Sequence, residues 1–61
     1  MQDDPLMSTL EVAYLLGVSP RTVEDWRADG RGPKYIVIEG RKVRYRRSVV
    51  QAYLEARTVQ P

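Results

Sequence analysis

The segment Gly17-Val18-Ser19-Pro20 constrains the fold more than any other part of the sequence, because it ends one helix and starts another within three residues. Glycine supplies the left-handed backbone that terminates a helix, and in a Ser-Pro pair the serine caps the next helix while the proline takes its first position. Upstream, Ser8-x-x-Glu11 has the form of a capping box and predicts that the first helix begins at Thr9. The second helix is predicted over residues 20–29.

Each predicted helix has one narrow apolar face. The apolar residues of these faces are Val12, Ala13 and Leu16 on the first helix and Val23 and Trp26 on the second. We expect the two faces to pack together, with Trp26 as a core anchor. Two short helices joined by a three-residue turn that contains Gly17 form a helix-turn-helix unit, in which the second helix enters the major groove of DNA.

The positive charge of the chain is concentrated after this unit. The formal net charge is only +2, but residues 31–47 contain seven Lys and Arg residues and a single acid. Within this segment, apolar alternation over Tyr35–Glu39 and Lys42–Tyr45, separated by Gly40-Arg41, predicts a two-stranded hairpin with a basic tip. A basic hairpin beside a helix-turn-helix unit indicates a winged helix that binds a polyanion.

A final helix is predicted from the second capping-box pattern, Ser48-x-x-Gln51, to about Arg57, with Val50, Tyr53 and Leu54 facing inward. The predicted fold class is therefore α+β: a small winged helix-turn-helix domain with two helices, a two-stranded wing and a C-terminal helix. The expected organisation is a flexible, solvated arm over residues 1–5 that includes Asp3 and Asp4, the domain over residues 6–57, and a flexible tail over residues 58–61.

Composition excludes several classes of function. With 61 residues, no Cys and no His, the chain lacks disulfides, the usual zinc ligands, a thiol nucleophile and an imidazole base. We therefore expect no enzyme activity, no catalytic residue, no metal, no cofactor and no small-molecule substrate. The apolar runs are too short to cross a bilayer and the first residues are acidic, so we expect a cytoplasmic protein.

The sequence resembles the excisionase-type winged-helix family, which is related to the DNA-binding domain of MerR regulators. The resemblance covers residues 6–57 and is carried by three groups of motifs. They are Ala13-x-x-x-Gly17-Val18-Ser19-x-x-Thr22-Val23-x-x-Trp26, then Gly32-Pro33-x-Tyr35-Ile36 and Val43-Arg44-Tyr45-Arg46, and finally Ser48-x-Val50-x-x-Tyr53-Leu54. Because the chain ends just after them, we expect a free-standing protein similar to phage excisionases, those of mycobacteriophages above all.

The resemblance implies a recombination directionality factor that binds repeated sites in attachment DNA, bends it and directs integrase toward prophage excision. It implies that double-stranded DNA, integrase and other copies of the chain are the partners. It assigns recognition-helix contacts to Ser19, Arg21, Thr22 and Asp25, and wing and basic-strand contacts to Arg41, Lys42, Arg44 and Arg46.

Some side chains leave alternatives open. Asp25 could accept a hydrogen bond from a cytosine, or it could pair with Arg21 or Arg27 and hold that cation in position. Tyr35 and Tyr45 are expected to pack across the hairpin with their phenols near the DNA backbone.

Leu10 and Tyr14 face away from the predicted core of the first helix. Either the arm Pro5-Leu6-Met7 covers them, or they form a surface for a neighbouring copy or for integrase.

Two other functions fit the same sequence. A small transcriptional regulator of phage or plasmid genes would use the same DNA-binding fold. A protein-interaction module would use the basic segment on an acidic partner.

Overall fold

Local capping signals set the helices of the protein, whose computed structural model describes residues 4–59. The three helices and three strands confirm the predicted α+β fold class. In chain order the elements are β1 (Leu6–Met7), α1 (Thr9–Leu16), α2 (Pro20–Ala28), β2 (Ile36–Ile38), a 3₁₀ turn (Glu39–Arg41), β3 (Lys42–Arg46) and α3 (Arg47–Ala56).

Helix α1 begins and ends where its sequence predicts. The Glu11 amide donates to Ser8 Oγ at 3.1 Å and the Ser8 amide donates to Glu11 Oε1 at 2.8 Å, which completes the capping box. Gly17 closes the helix with φ 72°, a backbone conformation that costs a residue with a side chain about 1–2 kcal/mol. The chain turns at Gly17, and α2 begins three residues later at Pro20.

Helix α2 begins at Pro20, with Ser19 as its N-cap. The Thr22 amide donates to Ser19 Oγ at 3.1 Å, and Pro20 occupies the first turn. Val18, whose amide donates to the Ala13 carbonyl at 3.0 Å, packs against the core from the turn itself. The predicted helix-turn-helix unit is confirmed.

The hairpin forms as predicted, with β2 and β3 antiparallel and Ile38 paired with Lys42 next to the turn. The structure adds a strand that the sequence does not reveal: β1 pairs with the other side of β3, placing Leu6 opposite Arg46. The sheet order is β1-β3-β2, so β3 is its central strand. A strand of two residues is too short to show an alternation of apolar and polar side chains, so the sequence pattern does not predict β1.

The predicted capping box at Ser48 and Gln51 was wrong. Helix α3 begins at Arg47, two residues before the start that a Ser48 cap predicts. Its first turn is capped from a distant part of the chain. Asp4 Oδ1 accepts from the Ser48 amide at 3.0 Å, and Asp4 Oδ2 accepts from Ser48 Oγ at 2.6 Å. A carboxylate satisfies free amides at a helix start and complements the helix dipole there.

Asp4, expected in a flexible arm, is thus bonded to Ser48. The Arg47 amide adds a 2.9 Å bond to the Pro5 carbonyl. Asp3 and the rest of the predicted arm lie outside the described residues. At the other end, the Thr58 hydroxyl donates to the Leu54 carbonyl at 3.0 Å.

The core contains at least one residue from each helix and one from the central strand. Its fully buried members are Val12, Ala13, Val23, Tyr45 and Val50. These side chains come from the faces that helical and strand periodicity assign to the interior. None of the helices in residues 4–59 combines the length and hydropathy needed to cross a membrane.

The cap from Asp4 predicts a pH-dependent stability. The hydroxyl and then the amide of Ser48 hold the pKa of the Asp4 carboxyl below its usual value. Because the folded state lowers this pKa, the stabilisation is present above the unfolded pKa of about 3.9 and is lost as pH falls through the folded pKa. We expect Asp4→Asn to lower the melting temperature at pH 7 and to flatten the acid limb of a pH–stability curve.

Glu24→Gln is the matched control, because Glu24 is exposed and forms no ion pair within residues 4–59. Equal acid limbs in the Asp4 and Glu24 variants, measured by thermal unfolding from pH 2 to 7, would contradict a capping role for Asp4.

Candidate nucleic-acid interface

The outward face of α2 carries charged side chains that reach solvent. Val23 is buried beneath the helix, whereas the side chains of Arg21 and Asp25 are 81% and 58% exposed. They lie one helical turn apart, so they share one face. This is the helix that the helix-turn-helix arrangement presents to DNA.

Arg21 and Asp25 form an ion pair on this face. Arg21 Nε donates to Asp25 Oδ1 at 3.1 Å. An exposed pair at this spacing contributes only about 0.3–0.5 kcal/mol, so its effect is on position rather than on stability. Within residues 4–59 no hydrogen bond occupies the two terminal nitrogens of Arg21, which leaves them available for a bidentate contact with guanine.

Ser19 and Thr22, the other predicted residues of this face, are joined to each other. Their hydroxyl oxygens lie 2.9 Å apart, and Ser19 Oγ also accepts from the Thr22 amide. Ser19 therefore caps the helix with its side chain. Thr22 is half-buried. Their exposed atoms lie at the start of α2, the end that contacts base edges in helix-turn-helix proteins.

The basic residues of the wing fall into two groups. Arg41, in the turn, and Lys42, at the start of β3, are exposed at the hairpin tip. Lys42, Arg44 and Arg46 share one face of β3 because strand side chains alternate, and the opposite face carries buried Tyr45. Arg44 is half-buried and donates to the Val43 carbonyl at 2.8 Å.

Arg27 holds α2 against the rest of the fold, a role that the sequence does not predict. Its Nη1 donates to Thr9 Oγ1 at 3.2 Å and to the Tyr45 hydroxyl at 3.0 Å. Its guanidinium carbon lies 5.6 Å from the centre of the Tyr35 ring. Arg27 thereby joins α2 to α1, to β3 and to Tyr35, the residue that precedes β2. Asp25 pairs with Arg21 instead.

The two hairpin tyrosines pack together as expected, with ring centroids 6.0 Å apart. Tyr45 is 1% exposed and its hydroxyl accepts a hydrogen bond from Arg27, so direct contact of this phenol with DNA is not expected. Tyr35 is partly exposed.

Trp26 fixes the other side of α2. It is half-buried rather than fully enclosed, and its ring centroid lies 6.2 Å from that of Tyr53 on α3. Gly32 lies so close that an added Cβ would be 3.1 Å from Trp26 Cε3. A side chain at position 32 would therefore require the Trp26 side chain to shift.

An apolar groove of about 580 Å³ lies on α1, away from α2's outward face. Its lining residues are Met7, Leu10, Glu11, Tyr14 and Leu15. Met7 from β1 borders the groove but does not cover it, since Leu10 is 66% and Tyr14 is 90% exposed. Of the two alternatives for this face, covering by the arm does not occur in the structure.

The chain matches the family model of the helix-turn-helix domain over residues 6–58. Because this match covers most of the chain, the protein belongs to the helix-turn-helix domain family. It is a helix-turn-helix DNA-binding domain, and proteins with this domain are typically not enzymes. No curated protein sequence shows a significant match to it.

The Arg21–Asp25 pair generates a prediction about base reading. If the free guanidinium nitrogens of Arg21 bind a base edge, Arg21→Ala should weaken binding to the specific site by about 1–3 kcal/mol and weaken binding to random duplex much less. Fluorescence anisotropy on both duplexes measures the difference.

Arg57→Ala is the control: it removes the same charge from the end of α3, where Arg57 stacks over Tyr53. It should weaken binding to the specific and the random duplex to the same small extent. Equal losses on both duplexes for Arg21→Ala would make Arg21 a phosphate contact.

Proposed function

We propose that this protein is an excisionase, a sequence-specific DNA-binding factor that binds repeated sites in attachment DNA, bends it and directs integrase toward prophage excision. One observation supports the proposal: α2 and the hairpin both expose charged side chains, and α1 exposes an apolar groove. A protein with these two surfaces is suited to contact DNA and a second protein at once. It acts where the DNA is, inside the bacterial cell.

On DNA, α2 enters the major groove and the wing follows the backbone toward the adjacent minor groove. Arg21 reads a base edge, and Asp25 orients it. Arg41 and Lys42 at the tip, with Arg44 and Arg46 on β3, contact phosphates, which position the protein and supply most of its affinity.

A single copy binds only a short stretch of DNA. One recognition helix and one wing resemble modules that bury about 600–1,000 Å², so a single copy holds its site moderately. We assign the exposed groove of Leu10 and Tyr14 to contact with the next copy on tandem sites. Such a head-to-tail contact does not close, so copies line up along repeats and small bends accumulate.

The experiment that tests the function combines an integrase assay with footprinting over the attachment region. The proposal expects protection of tandem repeats and excision that requires the protein. Protection of a promoter operator with no effect on excision would instead establish a transcriptional regulator. Binding to an acidic protein with no specific DNA footprint would establish an interaction module.

The groove on α1 generates a separate prediction. Tyr14→Ala should leave affinity for a single site unchanged and reduce cooperativity on tandem sites, because it removes the largest exposed side chain of the groove. Titrations of single-site and two-site DNA, with circular dichroism to confirm folding, measure both quantities.

Val59→Ala is the matched control, since Val59 is also exposed but lies outside the groove. Unchanged cooperativity with lost excision would assign the groove to integrase. If both properties are unchanged, Tyr14 belongs to no partner surface.

A further inference from the structure

A second groove, of about 310 Å³, lies where α2 passes into β2. Three of its lining residues, Arg27, Arg31 and Lys34, are cations, and Tyr35 forms part of its wall. Among residues 4–59, no acidic side chain lines it. A pocket with this lining favours an anion by charge alone.

Arg27 lacks a compensating charge within this groove. Its hydrogen-bond partners are two neutral hydroxyls, those of Thr9 and Tyr45. No carboxylate of residues 4–59 lies within 4.0 Å of its guanidinium nitrogens. A half-buried cation with neutral partners is costly unless an anion approaches it.

The other two cations differ in their partners. Arg31 Nη2 is bound to Asp29 Oδ2 at 3.1 Å, which holds its side chain beside the end of α2. Lys34 is exposed and forms no hydrogen bond or ion pair within the described chain through its side chain. Lys34 is therefore free to close on a bound anion.

The place of the groove indicates which anion it takes. It lies in the connection between the recognition helix and the wing, and the DNA backbone is what separates a major groove from the adjacent minor groove. If α2 lies in the major groove of DNA and the wing lies in or beside the minor groove, the DNA backbone between them passes over this connection. We propose that the groove formed by Arg27, Arg31, Lys34 and Tyr35 binds a backbone phosphate of DNA, a contact that rests on the proposed DNA-bound arrangement.

The first test compares two single-charge variants on a random duplex. Lys34→Gln should lower the slope of log K against log salt by about 0.9 and weaken binding on the order of tenfold near 0.1 M salt. Arg57→Gln removes the same charge from an exposed position outside both the groove and residues 31–47 and should change the slope little. Equal slopes for the two variants would overturn the phosphate site while leaving DNA binding intact.

The second test separates a DNA phosphate from free phosphate. Gly30 and Gly32 line the groove, and their amide signals in an ¹H–¹⁵N spectrum report on it directly. The proposal expects duplex DNA to shift both signals, and Lys34→Gln to reduce the shifts. Saturable shifts with inorganic phosphate but none with DNA would overturn the assignment to DNA, as would no shift with either. If the wild-type protein bound no duplex at all, the proposed function itself would fail.

Discussion

The bond from Arg27 to the Tyr45 hydroxyl fixes how the recognition helix stands relative to the wing. Tyr45 lies on the central strand, which pairs with β1 on one side and β2 on the other. Arg27 Nη1, on α2, donates to the Tyr45 hydroxyl and also to Thr9 Oγ1 on α1. Under the proposed function, in which α2 and the wing contact neighbouring grooves of DNA, this network holds the two at a fixed angle.

The small core makes polar contacts of this kind necessary. A chain of 61 residues buries too little apolar surface to fix the geometry of every element by packing alone. Polar contacts complete the fold at each junction: the capping box before α1, Ser19 before α2 and Asp4 before α3. The last of these also holds the segment that forms β1. Because Met7 of β1 borders the apolar groove on α1, the contact that caps α3 also shapes the surface proposed for a neighbouring copy.

Features encoded within a few residues could be predicted, and features made by distant residues could not. The start of α1, the turn at Gly17 and the hairpin each depend on neighbours in sequence, and all are confirmed. The cap of α3 depends on Asp4, 44 residues away, so a local capping pattern gave the wrong partner. Arg27 was missed because its partners lie on other elements, and in sequence it appears as a solvated cation beside two acids. For the candidate interface, the helix face and the basic strand were predicted, but the buried position of the Tyr45 phenol was not.

The positions of the basic residues suggest a role for the two acids on α2. Asp25 is committed to Arg21, and Glu24 stands beside it without an ion pair in the described residues. Under the proposed function, these carboxylates repel phosphates on a random sequence, and Arg21 has no base edge to compensate. On the specific site the same proposal gives Arg21 a bidentate base contact and assigns the phosphate contacts to the wing and to the connection after α2. Under the proposed function, the recognition helix therefore adds little to non-specific affinity, which comes mainly from residues 31–47. Separating the two contributions in this way raises the ratio of specific to non-specific binding, the quantity that decides whether a small protein finds its sites in a genome.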